Sequence, residues 1–83
     1  MAAGRVDAWR KGAEAGSPAG MVLYGDCLLF GMGLAKDERA ARGWYEKAAR
    51  AGSPGAMNQL GYMYSEGLGG LAKNNAEALR WYQ

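Results

Sequence analysis

The chain has 83 residues, enough for one small domain, and a formal net charge of +2 from 10 basic and 8 acidic residues. It contains no Ile, Thr or His and only two valines, Val6 and Val22, so the β-branched residues that usually form strands are almost absent. Good helix formers such as Ala, Leu, Met, Lys, Arg and Glu fill much of the remainder, which excludes a β architecture and predicts an all-α fold.

Stop and start signals divide the first half of the chain into helices. Gly16 stands where a left-handed residue ends a helix, and Ser17 followed by Pro18 is a typical N-cap with proline at the first helical position. Gly31 ends the second helix, and Asp37 caps the third after a glycine-rich turn. These signals predict helices over residues 4–15, 18–30 and 38–51.

The same signals recur in the second half. Ser53 and Pro54 begin a fourth helix, and Gly67 ends it. Asn74 then caps a fifth helix, and Glu77 three residues later gives the spacing of a capping box. The sequence therefore predicts two further helices, over residues 54–66 and 75–83.

The two halves are copies of one unit. Ala-Gly-Ser-Pro-Ala-Gly-Met at 15–21 recurs as Ala-Gly-Ser-Pro-Gly-Ala-Met at 51–57, and one extra glycine later shifts the offset from 36 to 37 residues. A period of this length is typical of helical repeat arrays. We name the first helix of each unit type A and the second type B. The interpretation is a single domain over residues 1–83, made of a partial unit 1–15, a full unit 16–52 and an incomplete unit 53–83.

A pattern of small and aromatic residues runs through the second unit. It has the form Ala56-x3-Leu60-Gly61-x2-Tyr64-x2-Gly67-x-Gly69, followed by Ala78-x2-Trp81-Tyr82. This pattern resembles the Sel1-like repeat, a relative of the tetratricopeptide repeat. The first full unit departs from it at Gly20, Tyr24 and Leu28 but conforms better in its second helix. The resemblance implies an α/α superhelix, or solenoid, that binds other proteins as a scaffold or adaptor.

Two glycines lie in the middle of predicted helices, where glycine costs about 1 kcal/mol relative to alanine. Gly25 and Gly61 occupy equivalent places in the two A helices. Close approach of a neighbouring helix would compensate for this cost. We expect the aromatic pairs Trp44-Tyr45 and Trp81-Tyr82 to fill the space beside these glycines as core residues.

Catalytic and metal-binding patterns are absent from the sequence. Without His, Cys27 has no partner for a Cys–His nucleophile, and one cysteine cannot support a zinc site. The glycine-rich turns lack the Lys-Ser/Thr ending of a phosphate-binding loop. Asp26 and Glu66 lie near opposite ends of different helices, where acid–base chemistry would need them together. We therefore expect no enzyme activity, no metal and no cofactor.

A binding surface is expected on the A helices, to which the resemblance assigns the concave face of the superhelix. Leu60, Gly61 and Tyr64 are pattern positions that should face neighbouring helices, and the residues rotated away from them should line a groove. The six candidates are Val22, Asp26, Leu29, Asn58, Tyr62 and Ser65. Apolar side chains beside a tyrosine suit a peptide or helix of a partner protein. The alternative is a structural or self-assembling segment of a longer solenoid without a groove ligand of its own.

The remaining features limit the partners. No block of basic residues suggests nucleic acid or a membrane surface, and no signal peptide, disulfide pair or membrane-length apolar stretch is present, which favours a soluble, cytoplasmic protein. The last B helix stops one residue after Tyr82. Because its apolar side would then be only partly covered, we expect a further repeat, another chain or end-to-end self-association through the terminal helices to cover it.

Overall fold

The computed structural model describes residues 2–82. Within them the chain forms five α-helices joined by short turns, with no strand. Each predicted helix is present, and its ends differ from the prediction by no more than two residues. The helices are α1 (Ala2–Glu14), α2 (Pro18–Phe30), α3 (Glu38–Arg50), α4 (Pro54–Glu66) and α5 (Asn75–Tyr82).

The helices pack in the order in which they occur in the chain. α1 packs on α2, α2 on α3, α3 on α4, and α4 on α5, giving a body that measures 38 × 24 × 15 Å. Packing between successive elements is the defining property of a solenoid, in which each repeat contacts its neighbours. The fold is an all-α solenoid of helix–turn–helix repeats, with α2 and α4 as A helices and α1, α3 and α5 as B helices.

The predicted N-caps are confirmed. The Ser17 hydroxyl accepts a hydrogen bond from the Gly20 amide at 3.2 Å, and the Ser53 hydroxyl accepts one from the Ala56 amide at 3.3 Å. The Asp37 carboxylate caps α3 by accepting a bond from a backbone amide three residues later. Each cap satisfies one of the amide groups that a helix leaves without a partner at its start.

The capping box at α5 forms only one of its two bonds. The Asn74 side chain accepts from the Glu77 amide at 3.1 Å, as predicted. The Asn74 amide, however, donates to the Tyr64 carbonyl at 2.9 Å, and the Glu77 carboxylate pairs with Arg80 at 2.6 Å. In the first full unit, the Asp37 amide makes the bond equivalent to that of Asn74, to the Leu28 carbonyl at 2.7 Å. A backbone bond that anchors each turn therefore replaces the second bond of the box.

Glycines end the A helices in the predicted way. Gly31 and Gly67 have φ angles of 70° and 69°, in the left-handed region where a side chain is strained. The amide groups of Gly31 and Gly67 return to carbonyls of the last helical turn, at Cys27 and Met63. This cap closes each A helix and directs the chain back towards the following B helix.

Tyrosine rings lie against the two mid-helix glycines. A Cβ atom built on Gly25 would stand 2.7 Å from a ring carbon of Tyr45, and one built on Gly61 would stand 2.6 Å from a ring carbon of Tyr82. Both separations are closer than side-chain carbons approach one another, so the glycines permit the packing, as the sequence predicts. Tyr45 is fully buried as expected, whereas Tyr82 is about half exposed, so the prediction that Tyr82 is a core residue is wrong.

Substitution of Gly25 by alanine is expected to destabilise the protein. Tyr45 is buried and hydrogen-bonded, so its ring cannot move aside for a methyl group, and we expect a loss of about 1–3 kcal/mol. The matched control is Gly43→Ala in α3, where an added Cβ meets nothing within 4 Å and the helix gains up to about 1 kcal/mol. Urea unfolding of both variants measures the difference, and equal midpoints would contradict the proposed contact.

Candidate functional site

On α2, the exposed surface differs from the predicted groove. Leu29 is buried, with 2% of its area exposed, and Val22 is half-buried against the core. The prediction that Leu29 lines the groove is therefore wrong. The reason is that Leu29 lies one turn after Gly25, and residues four apart share a helix face, so Leu29 belongs to the side that packs on neighbouring helices.

The residues of α2 that reach solvent lie on the adjacent side of the helix. Leu23 and Phe30 are seven residues apart, two helical turns, and are 39% and 54% exposed. Asp26 lies between them and is half-buried. Leu23 and Phe30 were not among the candidates, because α2 is apolar around most of its circumference and its sequence shows no contrast between a buried and an exposed side.

On α4, two of the three candidate residues are exposed. Asn58 and Tyr62 are exposed as expected, whereas Ser65 is only half-exposed because it follows Gly61 by one turn. Glu66 at the end of the helix is exposed and was not among the candidates for the groove. We call the surface of the two A helices the A face and define it by Leu23, Asp26, Phe30, Asn58, Tyr62 and Glu66.

Asp26 joins three helices through one carboxylate oxygen. Oδ1 accepts a hydrogen bond from the Tyr45 hydroxyl of α3 at 2.5 Å and another from Nε2 of Gln59 of α4 at 2.7 Å. Nε2 of Gln59 also lies 3.4 Å from the Tyr45 oxygen. We call these three residues the Asp26 cluster. Asp26 is expected to line the groove, and the structure gives one of its oxygens a structural role as well.

The pKa values of Tyr45, within this cluster, and of Cys27, beside it, are both raised. Burial, followed by the hydrogen bond to Asp26, raises the pKa of Tyr45 far above that of a free phenol. Burial and the neighbouring Asp26 charge raise the pKa of the Cys27 thiol. Cys27 has no exposed area and is a small core residue. The aromatic residues Trp44 and Trp81 pack against the core as expected.

Charge is distributed unequally between the two helix types. α2 and α4 contain two acidic residues, Asp26 and Glu66, and none of the 10 Lys and Arg residues of the chain. On the B helices, Asp7, Glu38 and Glu77 form ion pairs with Lys or Arg, whereas Glu14 and Glu46 form none with any described residue. Asp26 and Glu66 form none with any residue between 2 and 82. The A face therefore carries uncompensated negative charge on a chain of positive net charge.

Among the described residues, no three His, Cys, Asp or Glu side chains are grouped closely enough to hold a metal ion. None of the helices in this part of the chain has the length and hydropathy that a membrane crossing requires.

Known proteins share this architecture. The model of the Sel1 repeat matches residues 18–53 and 54–83. A crystal structure of a protective antigen from uropathogenic Escherichia coli strains, which displays an SLR fold, superposes with a TM-score of 0.90 and 43% identity, over 99% of this chain and 17% of that one. A Sel1 repeat protein from Oxalobacter formigenes superposes with a TM-score of 0.86 and 32% identity, over 93% of this chain and 58% of that one.

A human protein, "Protein sel-1 homolog 2", is 39% identical over 72 residues, which are 87% of this chain and 10% of the human protein. The chain thus spans about a tenth of the length of this curated relative. The similarity concerns the repeat architecture, because so small a share of the human protein is matched.

Removal of the Asp26 carboxylate tests the Asp26 cluster. Asp26→Ala leaves the buried Tyr45 hydroxyl with only the long contact to Gln59, so we expect a loss of about 1–3 kcal/mol in unfolding free energy. Asp26→Asn is the matched control, because its amide oxygen can still accept the bond from Tyr45, and its loss should be smaller. Urea titration provides both values. Equal losses would show that the hydrogen bond is not what stabilises this contact.

The raised pKa of Tyr45 predicts a pH dependence. In the unfolded chain the phenol loses its proton near pH 10, whereas the folded protein retains it. The unfolded state therefore binds fewer protons above that pH, so the contribution of Tyr45 to stability is complete below pH 10 and falls as the pH rises further. Tyr45→Phe removes this contribution. Stability curves of the two proteins should converge above pH 10, and a constant difference there would contradict the assignment.

Proposed function

Because the chain belongs to the Sel1 repeat family, whose repeats are generally protein-interaction modules, we propose that it binds a peptide or helix of a partner protein on its A face. One observation carries the proposal. Large apolar side chains that the core does not use, Leu23, Phe30 and Tyr62, are 39%, 54% and 37% exposed on the two neighbouring A helices. Exposed apolar groups gathered on one face favour docking of a partner.

The geometry of a solenoid supports this assignment. Stacked helix pairs present one helix type along an extended concave surface, which repeat proteins use for binding. We assign the A face to this concave surface. Few charged groups must be desolvated there, since α2 and α4 contain only Asp26 and Glu66 as charged residues, and desolvation of charge opposes association.

Self-assembly is the alternative function, and Leu79 of α5, 60% exposed, favours it. Light scattering over a dilution series distinguishes the two functions, because only self-assembly gives a mass that rises with concentration.

Peptides selected from a phage-displayed random library against the purified chain provide a probe for the A face. We expect Phe30→Ala and Tyr62→Ala each to weaken binding of a selected peptide by about 1–3 kcal/mol, as truncation of anchor residues does. Both side chains are exposed enough for the fold to tolerate the change. Fluorescence anisotropy with the labelled peptide measures the affinity.

Leu79→Ala is the matched control for these variants. It removes an equally apolar and exposed side chain from α5, away from the A face, so the peptide should bind it with unchanged affinity. Circular dichroism verifies that all three variants remain folded. A peptide that binds Phe30→Ala and Tyr62→Ala as tightly as the original chain would refute the A face as the binding surface.

A further inference from the structure

Acidic and aromatic residues occupy equivalent places on the two A helices. Through the offset of 36 residues, Asp26 of α2 corresponds to Tyr62 of α4, and Phe30 corresponds to Glu66. The A face thus has two rows that run across both helices. One row holds Asp26 and Tyr62, and the other holds Phe30 and Glu66. Each row combines a carboxylate with an aromatic ring, in opposite order.

A hydrogen bond joins the two A helices beside the first of these rows. Nε2 of Gln59 reaches Oδ1 of Asp26 at 2.7 Å, and Tyr62 follows Gln59 by three residues, which places it on an adjoining part of the same helix face. α2 and α4 both pack on α3 rather than closely on each other, and the Asp26–Gln59 bond bridges them. A partner segment that lies across both helices can therefore contact both members of a row.

The carboxylates have capacity for a further partner. Both recorded bonds to Asp26 end on Oδ1, so Oδ2 accepts none from the described residues. Glu66 is exposed and has no ion pair with any residue in the described range. A ligand that offers positive charge would meet two uncompensated carboxylates and no basic residue of the A helices.

Arginine combines the two properties that each row requires. Its planar guanidinium group stacks on aromatic rings and donates paired hydrogen bonds to a carboxylate, whereas the compact ammonium group of lysine does this less well. We propose that the A face binds an arginine-containing segment of the partner, with a guanidinium group between ring and carboxylate in each row and apolar side chains against Leu23. The proposal rests on the proposed function, to which it adds the chemistry of the ligand.

The phage-selected peptides test this ligand chemistry. Peptides that bind the chain should be enriched in Arg next to Leu, Ile or Phe. Replacing the Arg residues of a selected peptide by citrulline, which keeps the shape but removes the charge, should weaken binding about five- to tenfold per residue, and replacement by Lys should weaken it less. Enrichment in Asp or Glu, or an unchanged affinity of the citrulline peptide, would overturn the charge assignment and leave the proposed function intact.

Two variants of the protein test whether the negative charge of the A face attracts the arginine peptide. Glu66→Lys should weaken the arginine peptide about three- to tenfold, because it replaces attraction by repulsion in one row. Glu14→Lys in α1 changes the net charge by the same amount. Glu14 is likewise exposed and forms no ion pair with any described residue. The Glu14→Lys variant should leave the affinity within about twofold. Equal effects of the two variants would show nonspecific attraction and overturn the proposal.

Two further outcomes concern the proposed function itself. A library that yields no peptide above the background of a selection without protein would overturn peptide binding as a whole, and the arginine assignment with it. A chain that dimerises without peptide, and loses the dimer on Glu66→Lys but not on Glu14→Lys, would identify a second copy as the occupant of the A face and overturn an external partner. The selection and light scattering distinguish these results from a failure of the charge assignment alone.

Discussion

The contact between Tyr45 and Gly25 sets the spacing on which the first full repeat depends. Because glycine has no side chain, the tyrosine ring can lie directly on the backbone of α2, and its hydroxyl reaches Asp26 one position further along the helix. Gln59 of α4 joins the same oxygen. A single close approach therefore determines how α2 meets α3 within a repeat and, through Asp26, how that repeat meets the next one.

Much of the fold follows from the sequence because each signal acts locally. Ser17 and Ser53 cap helices through bonds within four residues, and Gly31 and Gly67 end helices through their own backbone angles. Such features need no knowledge of the neighbouring helices. The internal repeat then provides the order of elements, because a unit that recurs at a constant period must pack in the same way each time.

The binding surface is less predictable, because it depends on how a helix is rotated against its neighbours. On α4, polar residues such as Asn58 mark the exposed side, and the candidates Asn58 and Tyr62 are exposed as expected. On α2, Leu29 and Phe30 are adjacent apolar residues, yet one is 2% and the other 54% exposed. The residue types alone do not show which of the two side chains is exposed. The position of Gly25 could have done so, because a residue one turn after a buried glycine shares its face.

The two units share the tyrosine–glycine contact and differ on the A face. Glycine recurs at 25 and 61 and tyrosine at 45 and 82, so the spacing of the helix pair is retained. Where the first unit has Asp26, the second has Tyr62, and where the first has Phe30, the second has Glu66. The Phe30 and Glu66 side chains are both exposed, so this exchange leaves the packing of the pair unchanged. The exchange of Asp26 for Tyr62 removes the carboxylate that bonds Tyr45 in the first unit, yet Tyr82 still lies against Gly61. A repeat protein can therefore alter the chemistry of its binding surface one unit at a time, while the tyrosine–glycine contact preserves the geometry that presents it.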